Sequence, residues 1–184
     1  MTIFVSMLRG VNVGGHGRIK MEPLKQLHEA LGLRRVETLL QSGNVVFETT
    51  LKDREKLARR IEQELERRFE LQIEVIVRSL GEIRDLVERG PLLSPRADPS
   101  KLLVMFLSRV PDARALADLV KSHKGPEMLE PRGPEIYLYY PEGVGRSKLS
   151  GAYIENRLGV SGTARNWNTL TKLLERGSQL ESGR

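Results

Sequence analysis

The chain has 184 residues, 39% of them hydrophobic, and carries a net charge of +6 from 30 basic and 24 acidic side chains. That length fits one large domain or two small ones, and the longest apolar run, residues 102–107, is far short of the about 20 residues a membrane-spanning helix needs. With no cysteine in the sequence, disulfides, thiol catalysis and Cys-based metal centres are excluded.

In chain order, residues 2–8 are β-branched and apolar and predict a strand. Residues 22–31 place Leu24, Leu27 and Leu31 at helical spacing, with Pro23 in the first turn and Gly32 as a stop. Here His28 is expected to be a surface or boundary residue. Residues 35–40 and 45–48 read as two short strands around "QSGN", a hairpin signal. Residues 52–69 form the clearest helix, with Leu57, Ile61, Leu65 and Phe69 every fourth position. Residues 72–77 alternate as a half-buried strand does, and a short helix is expected over 80–88. The order β-α-β-β-α-β is the split βαβ, or ferredoxin-like, arrangement.

The segment 89–100, with three prolines, is the expected connector between a first half (1–88) and a second (101–176), and 177–184 is expected to be a flexible tail. The second half predicts a strand over 101–107 and a helix over 112–121. Strands over 127–130 and 135–140 follow around "PRGP", then helices over 148–158 and 165–176. That sequence of elements, β-α-β-β-α, makes it a related α/β half, and the fold class expected is α+β.

Between the first strand and first helix lies "RGVNVGGHGRIKM", residues 9–21. In a split βαβ sheet the first and second strands run parallel with the third inserted between them. The exit of the first strand and the hairpin after the second therefore share one edge. The loop and the "QSGN" turn should meet there, each with glycines that permit positive φ and close approach of a ligand. Consecutive N–H groups in such turns form anion-binding nests. The expected ligand-binding residues are Arg9, Gly10, Asn12, Gly14, Gly15 and Lys20 from the loop and Gln41, Ser42, Gly43 and Asn44 from the hairpin. Arg18 is a further cation. The pattern is not a Walker A loop, because His16 and Gly17 stand where Lys and Ser/Thr are required, and it lacks G-x-G-x-x-G spacing. The alternative is plain turn chemistry, with Asn12 as a cap.

Further on, Lys148 in "RSKLS" is a potential phosphate contact, with Ser147 or Ser150 as a helix cap. In "TARNWNTL" the spacing predicts a helix from Arg165 with Trp167 as a core anchor. Arg165, Asn166, Asn168 and Thr169 are expected near its first turn, where orphan amides favour an anion or ordinary capping residues. His16 as a base with Ser42 as a nucleophile is the only catalytic pairing that suggests itself, and no G-x-S-x-G elbow supports it. The three histidines lack metal-ligand spacing, so no metal is expected, and no cofactor is indicated.

Taken in order, "LRGVNVGG", "QSGNVVF", "SKL" and "RNWNTL" resemble an uncharacterised bacterial family known as domain of unknown function 1697, over residues 3–174. The resemblance implies an α+β, ferredoxin-related architecture and no established activity, cofactor or substrate. Members often carry Lys after the paired glycines where this chain has His16, so no catalytic role passes to that side chain. Function is thus expected to be binding of a phosphate- or carboxylate-bearing small molecule by a cytoplasmic protein, since no leader pattern opens the sequence. The alternatives are nucleic-acid binding, motivated by charge, and a phosphoester hydrolase or transferase.

Overall fold

The computed structural model describes residues 1–12, 18–90 and 97–183. The chain is α+β, with two four-stranded antiparallel sheets and six α-helices, in two related halves. By contacts it divides into two compact units, one formed by Met1–Glu88 with Thr171–Arg184 and the other by Arg89–Leu170.

In the first unit β1 (Thr2–Leu8), α1 (Met21–Ala30), β2 (Arg34–Leu39), β3 (Asn44–Thr49), α2 (Arg54–Phe69) and β4 (Val75–Ser79) follow one another, then α3 (Leu80–Arg89). The sheet order is β2-β3-β1-β4 with every pair antiparallel. The third strand therefore lies between the first two, as split βαβ connectivity requires. Phe4 and Leu8 of β1 pack with Val45 and Phe47 of β3, Leu24 and Leu27 of α1, and Leu57, Ile61 and Leu65 of α2. The four-residue apolar spacing of α2 is what turns one helical stripe onto the sheet. Asp53 starts that helix by accepting from the Lys56 amide. The alternate β1 positions Ile3, Val5 and Met7 are buried too, so this central strand is nearly continuous in apolar residues.

His28 differs from its expected surface position: it is fully buried, beside Phe47 at 5.7 Å between ring centres. It falls one helical turn after Leu24, on the apolar face. Its Nδ1 bonds the Leu24 carbonyl at 2.9 Å and its Nε2 meets Ser6 Oγ at 3.0 Å, which satisfies both ring nitrogens without a charge.

The second unit runs β5 (Leu102–Leu107), α4 (Ala113–Ser122), β6 (Met128–Arg132), β7 (Glu135–Tyr139), α5 (Gly151–Leu158) and β8 (Gly162–Asn166), with sheet order β6-β7-β5-β8. Its order matches that of the first sheet position for position. The strand β8 corrects the expected β-α-β-β-α pattern, and Arg165 lies in it rather than in a helix. The misreading has a physical cause: Thr163 and Arg165 of β8 are polar yet buried, so the strand lacks an apolar alternation. α6 starts at Trp167 and continues to Ser182, through residues expected to form a loose tail.

The likeness of the halves extends to single bonds. Val5 faces Arg78 across β1 and β4, and Val104 faces Arg165 across β5 and β8. Both arginines are buried, and each donates from Nη1 to the carbonyl of the residue before it, at 3.1 and 2.9 Å. Glu62 of α2 accepts the first β4 amide at 2.8 Å, and Glu155 of α5 accepts the first β8 amide at 2.7 Å.

Candidate functional site at the rim of the first sheet

At the end of β1 the Leu8 amide donates to Gly43 O of the β2–β3 hairpin and the Arg9 amide to Glu74 O, both at 2.9 Å. The loop and the hairpin thus meet at one rim, as the topology predicts. Past Arg9 the backbone enters the left-handed region at Gly10 (φ +69°) and Asn12 (φ +55°). Asn enters that region more readily than most residues, and here its carboxamide is held by bonds to residues distant in sequence. Its Oδ1 accepts the Ile19 amide at 3.0 Å, while its Nδ2 donates to Ile19 O at 3.0 Å and Gln41 O at 2.6 Å. One side chain therefore ties the far end of the loop to the hairpin tip.

The hairpin is equally constrained. Asn44 is fully buried and donates to Leu39 O at 3.2 Å and Ser42 Oγ at 2.8 Å. Gly43 has φ +69°, and a Cβ there would lie 2.5 Å from Val11 Cγ2 and 2.9 Å from Leu8 Cβ. Only glycine lets the two turns touch. At the tip Leu40 has φ +59° and is 48% exposed.

Around this joint Arg9, Arg18 and Lys20 are exposed, as are Gly10 and Gln41. Lys20 is the residue before α1, and its side chain makes no cap. Asn12 and Asn44 are braces here, and the amides of Leu8, Arg9 and Ile19 are taken up by protein oxygens. Gly14, Gly15 and His16 lie outside the described residues.

The remaining residues singled out by sequence belong to the second unit. Lys148 is exposed just before α5, whose cap is Ser150, accepting the Tyr153 amide at 3.1 Å. The Arg165 guanidinium is buried and bonds Thr163 Oγ1 at 2.6 Å, and burial pushes its pKa down to about 10. Asn166 caps α6 by accepting the Asn168 amide at 2.9 Å, and donates to Ser100 O at 2.7 Å. Asn168 is exposed and Thr169 half-buried. Trp167 is half-buried rather than a core anchor, with its ring 6.3 Å from that of Tyr137.

Two polar clusters escaped the sequence reading. In the second unit the Glu127 carboxylate accepts from Ser147 Oγ and faces His123 Nε2 at 3.2 Å, which holds its pKa below the usual range. In the first, an open hollow lies by Thr2, Phe4, Lys52 and Arg54. Its Arg54 pairs with Glu82, and Glu82 also forms a reciprocal capping box with Ser79. In these clusters Glu127 faces His123 and Arg54 pairs with Glu82. Among the described residues no group of three metal-ligating side chains occurs, and no helix is long and apolar enough to cross a membrane.

Fold and rim together define an α+β protein with a basic loop-and-hairpin edge. Residues 1–137 match the family described as Protein of unknown function (DUF1697), and the chain belongs to that family. Among solved structures it is similar to the conserved bacterial protein SP0830 from Streptococcus pneumoniae, with 24% identity and a TM-score of 0.73 over 95% of this chain and 98% of that one. At that identity the likeness is one of fold. No curated protein matches the chain.

Proposed function

We propose that the protein binds a small phosphate- or carboxylate-bearing ligand at the rim of the first sheet, with Arg9, Arg18 and Lys20 supplying positive charge. The observation that carries this reading is an internal control. In the second unit the step from first strand to first helix takes residues 108–112, whereas the equivalent step in the first takes residues 9–20. The shared connectivity needs no long loop, and the extra length is where the cations and Asn12 are found. Most connections in compact domains are short, and longer ones are disproportionately functional.

Isothermal titration with inorganic phosphate and with phosphate monoesters tests the reading. Replacing Arg18 and Lys20 together by Ala should weaken binding about tenfold or more, the loss expected for a charge-assisted hydrogen bond. Heats that do not change in the double variant reject the site. Nucleic-acid binding has less support, since the central-strand aromatics Phe4 and Phe47 are buried and stacking platforms require exposed rings. A steep fall of RNA affinity with salt would favour that second reading instead.

A further inference from the structure

We infer that the ligand of this rim joins an apolar body to its anionic group, and that Leu40 is the side chain that meets the apolar part. The inference rests on the anion-binding reading above and names its ligand class more narrowly. Leu40 carries a backbone cost with little burial to offset it. Its side chain is 48% exposed and its backbone has φ +59°, a conformation that L-residues other than Asn and Asp rarely enter and only at a cost. A glycine would relieve the strain.

The fold does not demand this arrangement. In the second sheet the equivalent hairpin is closed by residues 133 and 134 alone, with Gly133 at φ +61° in the left-handed position. The first sheet uses residues 40–43 and places a leucine there instead. Local rules broken without a structural return are concentrated at functional sites.

Position gives the strain its meaning. Asn12 bonds both Ile19 and Gln41, so the flanking cations Arg18 and Lys20 are held alongside the residue next to Leu40. A ligand whose anionic group meets those cations has the leucine beside it. A phosphate monoester of an apolar or aromatic group, or a free carboxylate attached to one, fits such a pair, and a bare inorganic anion uses only half of it.

The test compares inorganic phosphate with phenyl phosphate by isothermal titration, on the full chain and on Leu40→Gly. Phenyl phosphate should bind the natural chain about tenfold tighter, the return on removing part of a ring from water. Leu40→Gly should abolish that advantage and raise the urea midpoint, because glycine accepts positive φ. Equal affinities for the two probes, or an advantage that survives Leu40→Gly, overturn the inference while leaving the anion site standing. If neither probe binds, the anion reading itself has failed. Concentration-dependent self-association that Leu40→Gly removes also overturns it, since the leucine would then be covered by a second copy.

Discussion

The two units solve one folding problem twice and differ where the solution leaves room. Both carry a central strand paired antiparallel on each side, a buried arginine at the same register, and a helix glutamate accepting the first amide of the fourth strand. Even the strand exits agree: Leu8 and Leu107 donate to the hairpin, and Arg9 and Ser108 to the residue preceding the fourth strand. Against that constant background, the longer connection between β1 and α1 and the strained hairpin tip of the first unit stand out as additions. What two copies share is set by packing and backbone hydrogen bonding. What only one has needs another reason.

The sharpest way to break this comparison is at the two hairpin glycines. Gly43 and Gly133 both have positive φ, but a Cβ at Gly43 would strike Val11 and Leu8, while one at Gly133 meets nothing within 4 Å. Gly43→Ala should cost about 3–4 kcal/mol, combining left-handed strain with overpacking, and Gly133→Ala about 1 kcal/mol from strain alone. Urea unfolding of the two variants measures both. Equal losses would mean that the loop of the first unit does not press on its hairpin as described.

The second contrast lies between the cores. The first buries the Ser6–His28 pair, and by register the place of Ser6 is taken in the second by Met105. Burial, against a smaller opposing effect of the Leu24 carbonyl, pushes the His28 pKa down from 6.5 to about 4. The unfolded chain therefore binds the proton first. Stability is complete above pH 6.5 and falls as the pH drops towards 4, by about 3 kcal/mol. His28→Gln removes this titration, so the difference in stability between pH 7 and pH 4 should shrink by that amount. An unchanged difference would show that His28 is not held neutral by the core.

Much of this architecture was legible in the sequence, because spacing speaks directly to packing. Leu57, Ile61 and Leu65 announce α2, and the apolar run of residues 2–8 announces β1. The meeting of the β1 exit with the hairpin follows from the topology of a split βαβ sheet. What stayed hidden were elements whose buried positions are polar. β8 buries Thr163 and Arg165 and reads as a helix start, and His28 reads as a boundary residue although it sits on the apolar face with Leu24 and Leu27. The double duty of Asn12 was unreadable for another reason: its partners Ile19 and Gln41 are distant along the chain, and no local pattern encodes them.

That carboxamide provides the third test. Asn12→Ala removes three hydrogen bonds and leaves alanine at φ +55°, a loss of about 2 kcal/mol for a partly exposed group. Since the brace aligns the cations with the hairpin tip, phosphate affinity should fall with it, and restoring stability with a low concentration of osmolyte should not restore binding. No counterpart in the second unit is expected to show this separation, because residues 108–112 have no long loop to hold.

The smallest effect is the one that tests the shared background. Glu62 and Glu155 are both half-buried and both accept the opening amide of a fourth strand, at 2.8 and 2.7 Å. Substituting glutamine keeps an acceptor but removes the charge, which reduces a charge-assisted bond to a neutral one at a cost of about 1 kcal/mol. If the halves are equivalent, Glu62→Gln and Glu155→Gln should shift the unfolding free energy equally, and, being in different units, the double variant should lose their sum. Hydrogen exchange at the Val75 and Gly162 amides localises each loss. A large effect at one position and none at the other would show that the matching geometry hides different energetics, and the second unit could then no longer serve as the control for the first.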